Sequence, residues 1–176
     1  MRVDAVTRPL AYGPGMTMQP QKSSAGDSGS RPFVRQVVLD CAHPRKLAEF
    51  YRELLGYAYR PGDEQPPVGE PDPLGDDWLV LRPEAGDASS GRGIAFQRAD
   101  DYTPPTWSAH EPPAPGRQQQ MLHLDMSVPD VETLARQRDR AIELGARMLF
   151  DRSEDEDEPL YVFADLAGHP FCIFVG

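Results

Sequence analysis

The chain has 176 residues, enough for one domain or two tightly joined halves around a proper core. Its composition, 39% apolar and 26% charged, suits an ordinary soluble globular protein, and a formal net charge of −10 excludes the dense Lys/Arg surface of a non-specific nucleic-acid binder. No run approaches the ~20 apolar residues of a membrane helix. The N-terminus MRVDAVTRPLAYGPG lacks the apolar centre of a signal peptide, so a cytoplasmic location is expected.

Residues 1–32 carry Gly, Pro, Ser and Gln without apolar periodicity and read as a disordered leader. A first module follows over 33–100. Its opening strand, Val34 to Cys41, places Val37, Leu39 and Cys41 on one face and Gln36, Val38 and Asp40 on the other, because successive side chains of a strand point to opposite sides. His43-Pro44 opens a helix whose Leu47, Phe50, Tyr51, Leu54 and Leu55 share one apolar face, and Gly56 stops it. Tyr57 to Arg60 is a short strand, Arg60 to Gly75 a Pro- and Gly-rich loop expected at the mouth of a hollow, and Trp78 to Arg82 and Gly93 to Arg98 two further strands split by the turn-rich Glu84 to Arg92.

A linker over 101–118 has prolines at 104, 105, 112, 113 and 115 and is expected to be stiff and extended; it also holds Trp107 and His110. The second module, 119–176, repeats the first. Gln120 to Val128 alternates, with Met121, His123, Asp125 and Ser127 on one side and Leu122, Leu124, Met126 and Val128 on the other. Asp130 caps a helix from Val131 to Leu144 and Gly145 ends it. Arg147 to Phe150 is a short strand, Ser153 to Glu158 a solvated acidic loop, and Leu160 to Ala164 and Pro170 to Val175 are the last strands, joined by the turn Asp165 to His169. The fold class is therefore α+β, one βαβββ unit used twice in tandem, with polar groups of both copies facing a shared hollow. Cys41 and Cys172 lie in apolar strands and read as buried free thiols. His43 and His169, beside prolines in turns, read as structural or exposed.

The segments LDCAHPRKLAEFYRELLGY and FADLAGHPFCIF resemble the glyoxalase-like branch of the vicinal oxygen chelate superfamily. That superfamily includes glyoxalase I, extradiol dioxygenases, fosfomycin resistance enzymes and bleomycin-resistance binding proteins. The resemblance covers about Phe33 to Gly176. It implies two βαβββ modules in tandem forming a curved mixed sheet around a cleft, commonly one divalent metal, and in many members a homodimer. Metal-dependent members take His or Gln from the first strand of each module and Glu from the last. Anchored on the helix starts, those first-strand positions are Gln36 and His123, each seven residues before the turn residue at 43 or 130. The pattern Asp-x-x-Gly-x-x-x-Glu becomes Asp165, Gly168 and Cys172, so a cysteine stands where the acid is expected. The last strand of the first module offers Gln97 or Ala95 and no acid.

The candidate metal ligands are thus His123, Gln36 and Cys172, and the candidate metals Zn, Ni, Fe or Mn; zinc suits His123 and Cys172 with a nearby Asp. Against this stand a hydrogen-bonded cleft histidine at 123 and a small buried hydrophobe at 172. Asp40 and Asp125 share the predicted inward faces with Gln36 and His123. An enclosed carboxylate is costly unless paired or hydrated, so each binds a cation, fixes the His123 tautomer, acts as general acid or base, or simply bonds a neighbouring amide or Arg. Substrate binding is assigned to Gln36, Asp40, Gln97, His123, Asp125 and Cys172, and catalysis, if any, to His123, Asp125 and Asp40. The function expected is binding of a small organic ligand, neutral or cationic, without a firmly bound metal. The alternatives are a lyase or isomerase, metal-dependent or not, acting on a small oxygenated metabolite, and an interaction module with no ligand.

Overall fold

The computed structural model describes residues 34–84, 92–107 and 120–176. The expected leader, the turn after Glu84 and most of the linker, His110 included, lie outside the described residues.

Two copies of one element order run through the chain. The first is β1 (Gln36–Cys41), α1 (Pro44–Leu55), β2 (Ala58–Tyr59), β3 (Trp78–Arg82) and β4 (Gly93–Arg98). The second is β5 (Leu124–Val128), α2 (Val131–Glu143), β6 (Arg147–Arg152), β7 (Leu160–Ala164) and β8 (Pro170–Val175). The expected α+β architecture of tandem βαβββ modules is the one observed.

Each module folds into a four-stranded mixed sheet, ordered β1-β4-β3-β2 and β5-β8-β7-β6. The first and last strands of each are parallel neighbours, with Asp40 opposite Gln97 and Asp125 opposite Cys172. These registers place the polar residues of the first and last strands side by side on one face. No described helix is long and apolar enough to cross a membrane.

The helices form where the periodicity places them. Pro44 sits in the first turn of α1, where its missing N–H costs nothing, and Gly56 ends the helix in the left-handed conformation at φ 66°. Asp130 caps α2 by accepting a hydrogen bond from the Thr133 amide at 2.7 Å. The strand expected over Gln120 to Val128 is paired only from Leu124. Its partner β8 begins at Pro170, opposite His123, and the register starts at Leu124 with Phe171; proline has no N–H to give to the ladder. Strand β6 is longer than expected, reaching Arg152, with an irregularity between Met148 and Phe150.

Helix α1 connects the two modules. Tyr51, fully buried, stacks on Phe96 of β4 with ring centroids 5.7 Å apart and meets Phe171 of β8 edge-on at 6.4 Å. Phe50 also contacts Phe171, which stacks on Phe163 at 5.3 Å. The apolar faces of both sheets therefore drain into one hydrophobic cluster. Each buried aromatic side chain contributes about 1.5–3 kcal/mol of hydrophobic stabilisation, so the junction joins the modules through a shared core.

Candidate functional site

Period-two alternation leaves polar side chains on the faces that the helices do not cover. On β1, Leu39 and Cys41 are buried while Asp40 between them is exposed. On β5 the exposed residues are Asp125 and Ser127.

In the second module, His123, Asp125 and Cys172 come together. One ligand atom from each lies within 4.8 Å of the others. His123 precedes β5, where Gln120, Trp107 and Asp125 hold it. Its Nε2 lies 3.2 Å from Asp125 Oδ1, its Nδ1 lies 3.3 Å from the Gln120 side-chain amide, and Trp107 packs edge-on at 6.3 Å. A carboxylate only accepts and an amide nitrogen only donates, so these partners together select the neutral tautomer with the proton on Nε2. Cys172 is 9% exposed, and burial, aided by the negative charge of Asp125, pushes its thiol from 9.0 up to about 11. Cys41 is likewise raised to about 11 by burial. Both cysteines are free.

In the first module Asp40 faces Gln97 across the parallel pair, with Gln36 half-buried farther back on the same strand. No cation pairs with Asp40 among the described residues, whereas the nearby Arg98 is engaged by Asp100 at 2.9 Å. Asp40 lines a hollow of about 160 Å³ together with Gln120 and His169. Gln36, Gln97, His123, Asp125 and Cys172 do not line this hollow or the other, larger one. Gln120, at the rim of the hollow and bonded to His123, links Asp40 to the second-module cluster.

A further polar assembly, with no signal in the strand alternation, is built on the turn between β7 and β8. Asp165 is buried and accepts from the Ala167 and His169 amides, both at 2.9 Å, and from the Tyr51 hydroxyl at 2.8 Å. His169 Nδ1 lies 3.1 Å from the same carboxylate and its Nε2 lies 3.2 Å from the Tyr102 hydroxyl. Tyr102 donates to the Ala167 carbonyl at 2.8 Å and forms a wall shared by the 160 Å³ hollow and one of about 270 Å³ that also touches Cys41, His43 and Lys46. Burial, reinforced by the charge of Asp165, raises the Tyr102 phenol above its ordinary range. The Asp-x-x-Gly spacing marks the turn in the sequence, but the reach of Tyr51 and Tyr102 across more than sixty residues to it leaves no local trace.

His123, Asp125 and Cys172 offer nitrogen, oxygen and sulfur donors, a set that fits zinc and is poor for Mn²⁺ or Mg²⁺, which favour oxygen. Metal binding would displace the proton of the nitrogen facing Asp125 and that of the thiol.

A model of the Glyoxalase-like domain family matches residues 36–174. Among curated proteins none matches the chain. Among solved structures, a hypothetical protein from S. aureus is similar with a TM-score of 0.55 at 14% identity, covering 84% of this chain and 100% of its own. A glyoxalase/bleomycin resistance protein/dioxygenase family enzyme from Burkholderia phytofirmans gives 0.53 at 14% identity, covering 80% and 96%. A fosfomycin resistance protein from Listeria monocytogenes, complexed with Mn(II) and 1S,2S-dihydroxypropylphosphonic acid, also gives 0.53 at 14% identity, covering 82% and 90%. At such identities the likeness is one of fold.

Proposed function

Because the chain belongs to the glyoxalase-like domain family, we propose that it binds a small organic molecule through the polar strand faces of its two modules, with no firmly bound metal. Gln36, Asp40 and Gln97 are the anchors from residues 33–100, and His123, Asp125 and Cys172 those from residues 119–176. The observation that supports this reading is Cys172. The position where metal-dependent relatives carry an acid holds a buried thiol raised to about 11, protonated at neutral pH. The exposed carboxylates, Asp125 beside Cys172 and Asp40 on β1, favour a neutral or cationic ligand.

The test is metal analysis of protein purified without chelator, alongside melting in the presence of a panel of drug-like and metabolite-like compounds. Substoichiometric metal and a raised melting temperature with some compounds are the expected pair; a ligand at one hundred times its Kd stabilises by about 2.7 kcal/mol. Near-stoichiometric metal, lost on His123→Ala, would overturn the reading.

A second reading, a lyase or isomerase acting on a small oxygenated metabolite, is favoured by the donor cluster within 4.8 Å. His123, Asp125 and Cys172 would hold zinc there, and the ion would supply Lewis-acid stabilisation of an enolate-like oxygen. Asp40, unpaired and on a separate strand, would then be the group free to move a proton.

A further inference from the structure

The hollow beside Asp40 differs from the donor cluster of the second module in both chemistry and lining. One end carries the Asp40 carboxylate, which has no cationic partner among the described residues. Another part carries His169, held by Asp165 through Nδ1. Asp165 only accepts, so His169 Nδ1 donates to it, and Nε2 is the ring nitrogen left to face Tyr102. Nε2 lies 3.2 Å from the Tyr102 oxygen, which is also 2.8 Å from the Ala167 carbonyl. His169 and Tyr102 both line the hollow and give it a second polar end, opposite in character to the carboxylate of Asp40. A ligand hydroxyl, donor and acceptor at once, suits such a pair of groups.

Between these polar groups the walls are apolar, and several are exposed: Val38 at 41%, Met121 at 92% and Leu122 at 53%. The volume, about 160 Å³, matches the roughly 150 Å³ that accommodates a benzene ring.

We propose that this hollow is a binding site for a ring-sized organic cation that also bears a hydroxyl, the cation on Asp40, the ring against Val38, Met121 and Leu122, and the hydroxyl hydrogen-bonded at the His169–Tyr102 end. The inference rests on the small-molecule reading above and narrows it, keeping Asp40 as the anchor and placing the ligand in the hollow rather than at the His123, Asp125 and Cys172 cluster. His169 and Tyr102 become ligand-binding residues beside Asp40.

The experiment titrates the full-length chain with tyramine, with phenethylamine, which lacks the hydroxyl, and with 4-ethylphenol, which lacks the ammonium. Tyramine is expected to bind tightest. Asp40→Asn should weaken tyramine and phenethylamine at least roughly tenfold and leave 4-ethylphenol unchanged, because only the two amines lose a charge-assisted contact. His169→Asn keeps an amide able to bond Asp165, and should weaken tyramine and 4-ethylphenol while sparing phenethylamine. Should His169→Asn fold poorly, Asp40→Asn, at an exposed position, carries the test. Absence of tyramine binding by the unaltered chain overturns the inference. So does tyramine binding that ignores both substitutions, or that falls on His123→Ala instead. In those cases other compounds in the melting panel still stabilise the protein if the broader reading holds. Failure of the entire panel sinks that reading too.

Discussion

The Tyr51 hydroxyl of α1 donates to Asp165 Oδ2 at 2.8 Å, and both side chains are buried. The bond joins the helix of the first module to the closing turn of the second. Asp165 also bonds the Ala167 and His169 amides, so one carboxylate sets the turn and receives the helix. Tyr51→Phe removes the hydroxyl and leaves part of a buried carboxylate unsatisfied. The expected loss is about 1–3 kcal/mol of unfolding free energy. Urea denaturation followed by tryptophan fluorescence and by circular dichroism measures it. A single transition is expected for both proteins, because the aromatic junction at Phe96 and Phe171 persists in the variant. A variant as stable as the parent would show that the bond contributes nothing net.

Alkaline pH should destabilise the fold. The Cys41 and Cys172 thiols rise from 9.0 to about 11 in the folded chain. As pH climbs past 9 the unfolded chain releases thiol protons that the folded chain retains. The unfolded state then binds fewer protons, so unfolding free energy falls with rising pH, and it levels off only beyond the folded-state value. The buried Tyr51 phenol, also raised, acts in the same direction at higher pH. Denaturation midpoints between about pH 8 and about pH 10 should decline, and less steeply after Cys41→Ala. Iodoacetamide should label both thiols slowly at neutral pH. Rapid labelling of the native protein would contradict the burial argument.

The loop from Arg60 to Gly75, rich in Pro and Gly, is pinned rather than merely exposed. Asp63 is 2% exposed; it accepts from the Val80 amide and from Arg60, both at 2.8 Å, and its carbonyl accepts from Arg45. Arg45 in turn grips Asp72 through two hydrogen bonds at 2.7 and 2.9 Å. Asp63→Ala strands the Val80 N–H on the buried strand β3 and should cost about 2–3 kcal/mol. Limited proteolysis should then cut within residues 64–72 faster than in the parent. Unchanged cleavage would mean that Arg45 and Asp72 hold the loop unaided.

The elements that depend only on local chemistry were legible in the sequence. Trp78 to Arg82, Gly93 to Arg98, Leu160 to Ala164 and Pro170 to Val175 are apolar runs punctuated by Gly, Pro and acidic turns, and the structure gives them the same bounds. Gly56 and Asp130 act as stop and cap because backbone conformation and a single side-chain bond suffice. The start of β5 was not legible, since Gln120 to His123 alternate like a strand yet pairing begins only at Leu124, after Pro170 of the partner strand. Asp125 and Cys172 meet because two parallel strands share a register; family spacing marks His123 and Cys172 but not that register. The meeting of Tyr102, His169 and Asp165 with Tyr51 depends on how one module lies on the other. No periodicity encodes that contact.

Cys172→Glu puts the acid of the metal-dependent relatives back into β8, opposite Asp125 and within reach of His123. Without metal the variant should be less stable than the parent, because a second carboxylate enters a site that is 9% exposed and already faces Asp125. With Mn(II) the order should reverse. Two carboxylates and an imidazole suit a hard cation far better than a thiol does, so Mn(II) should raise the melting temperature of the variant and leave that of the parent unchanged. Thermal melts of both proteins with and without Mn(II) decide the matter, and removing His123 as well should cancel the gain. If the parent already gains as much from Mn(II) as the Cys172→Glu chain does, the thiol is no obstacle to the metal and the metal-free reading loses its support.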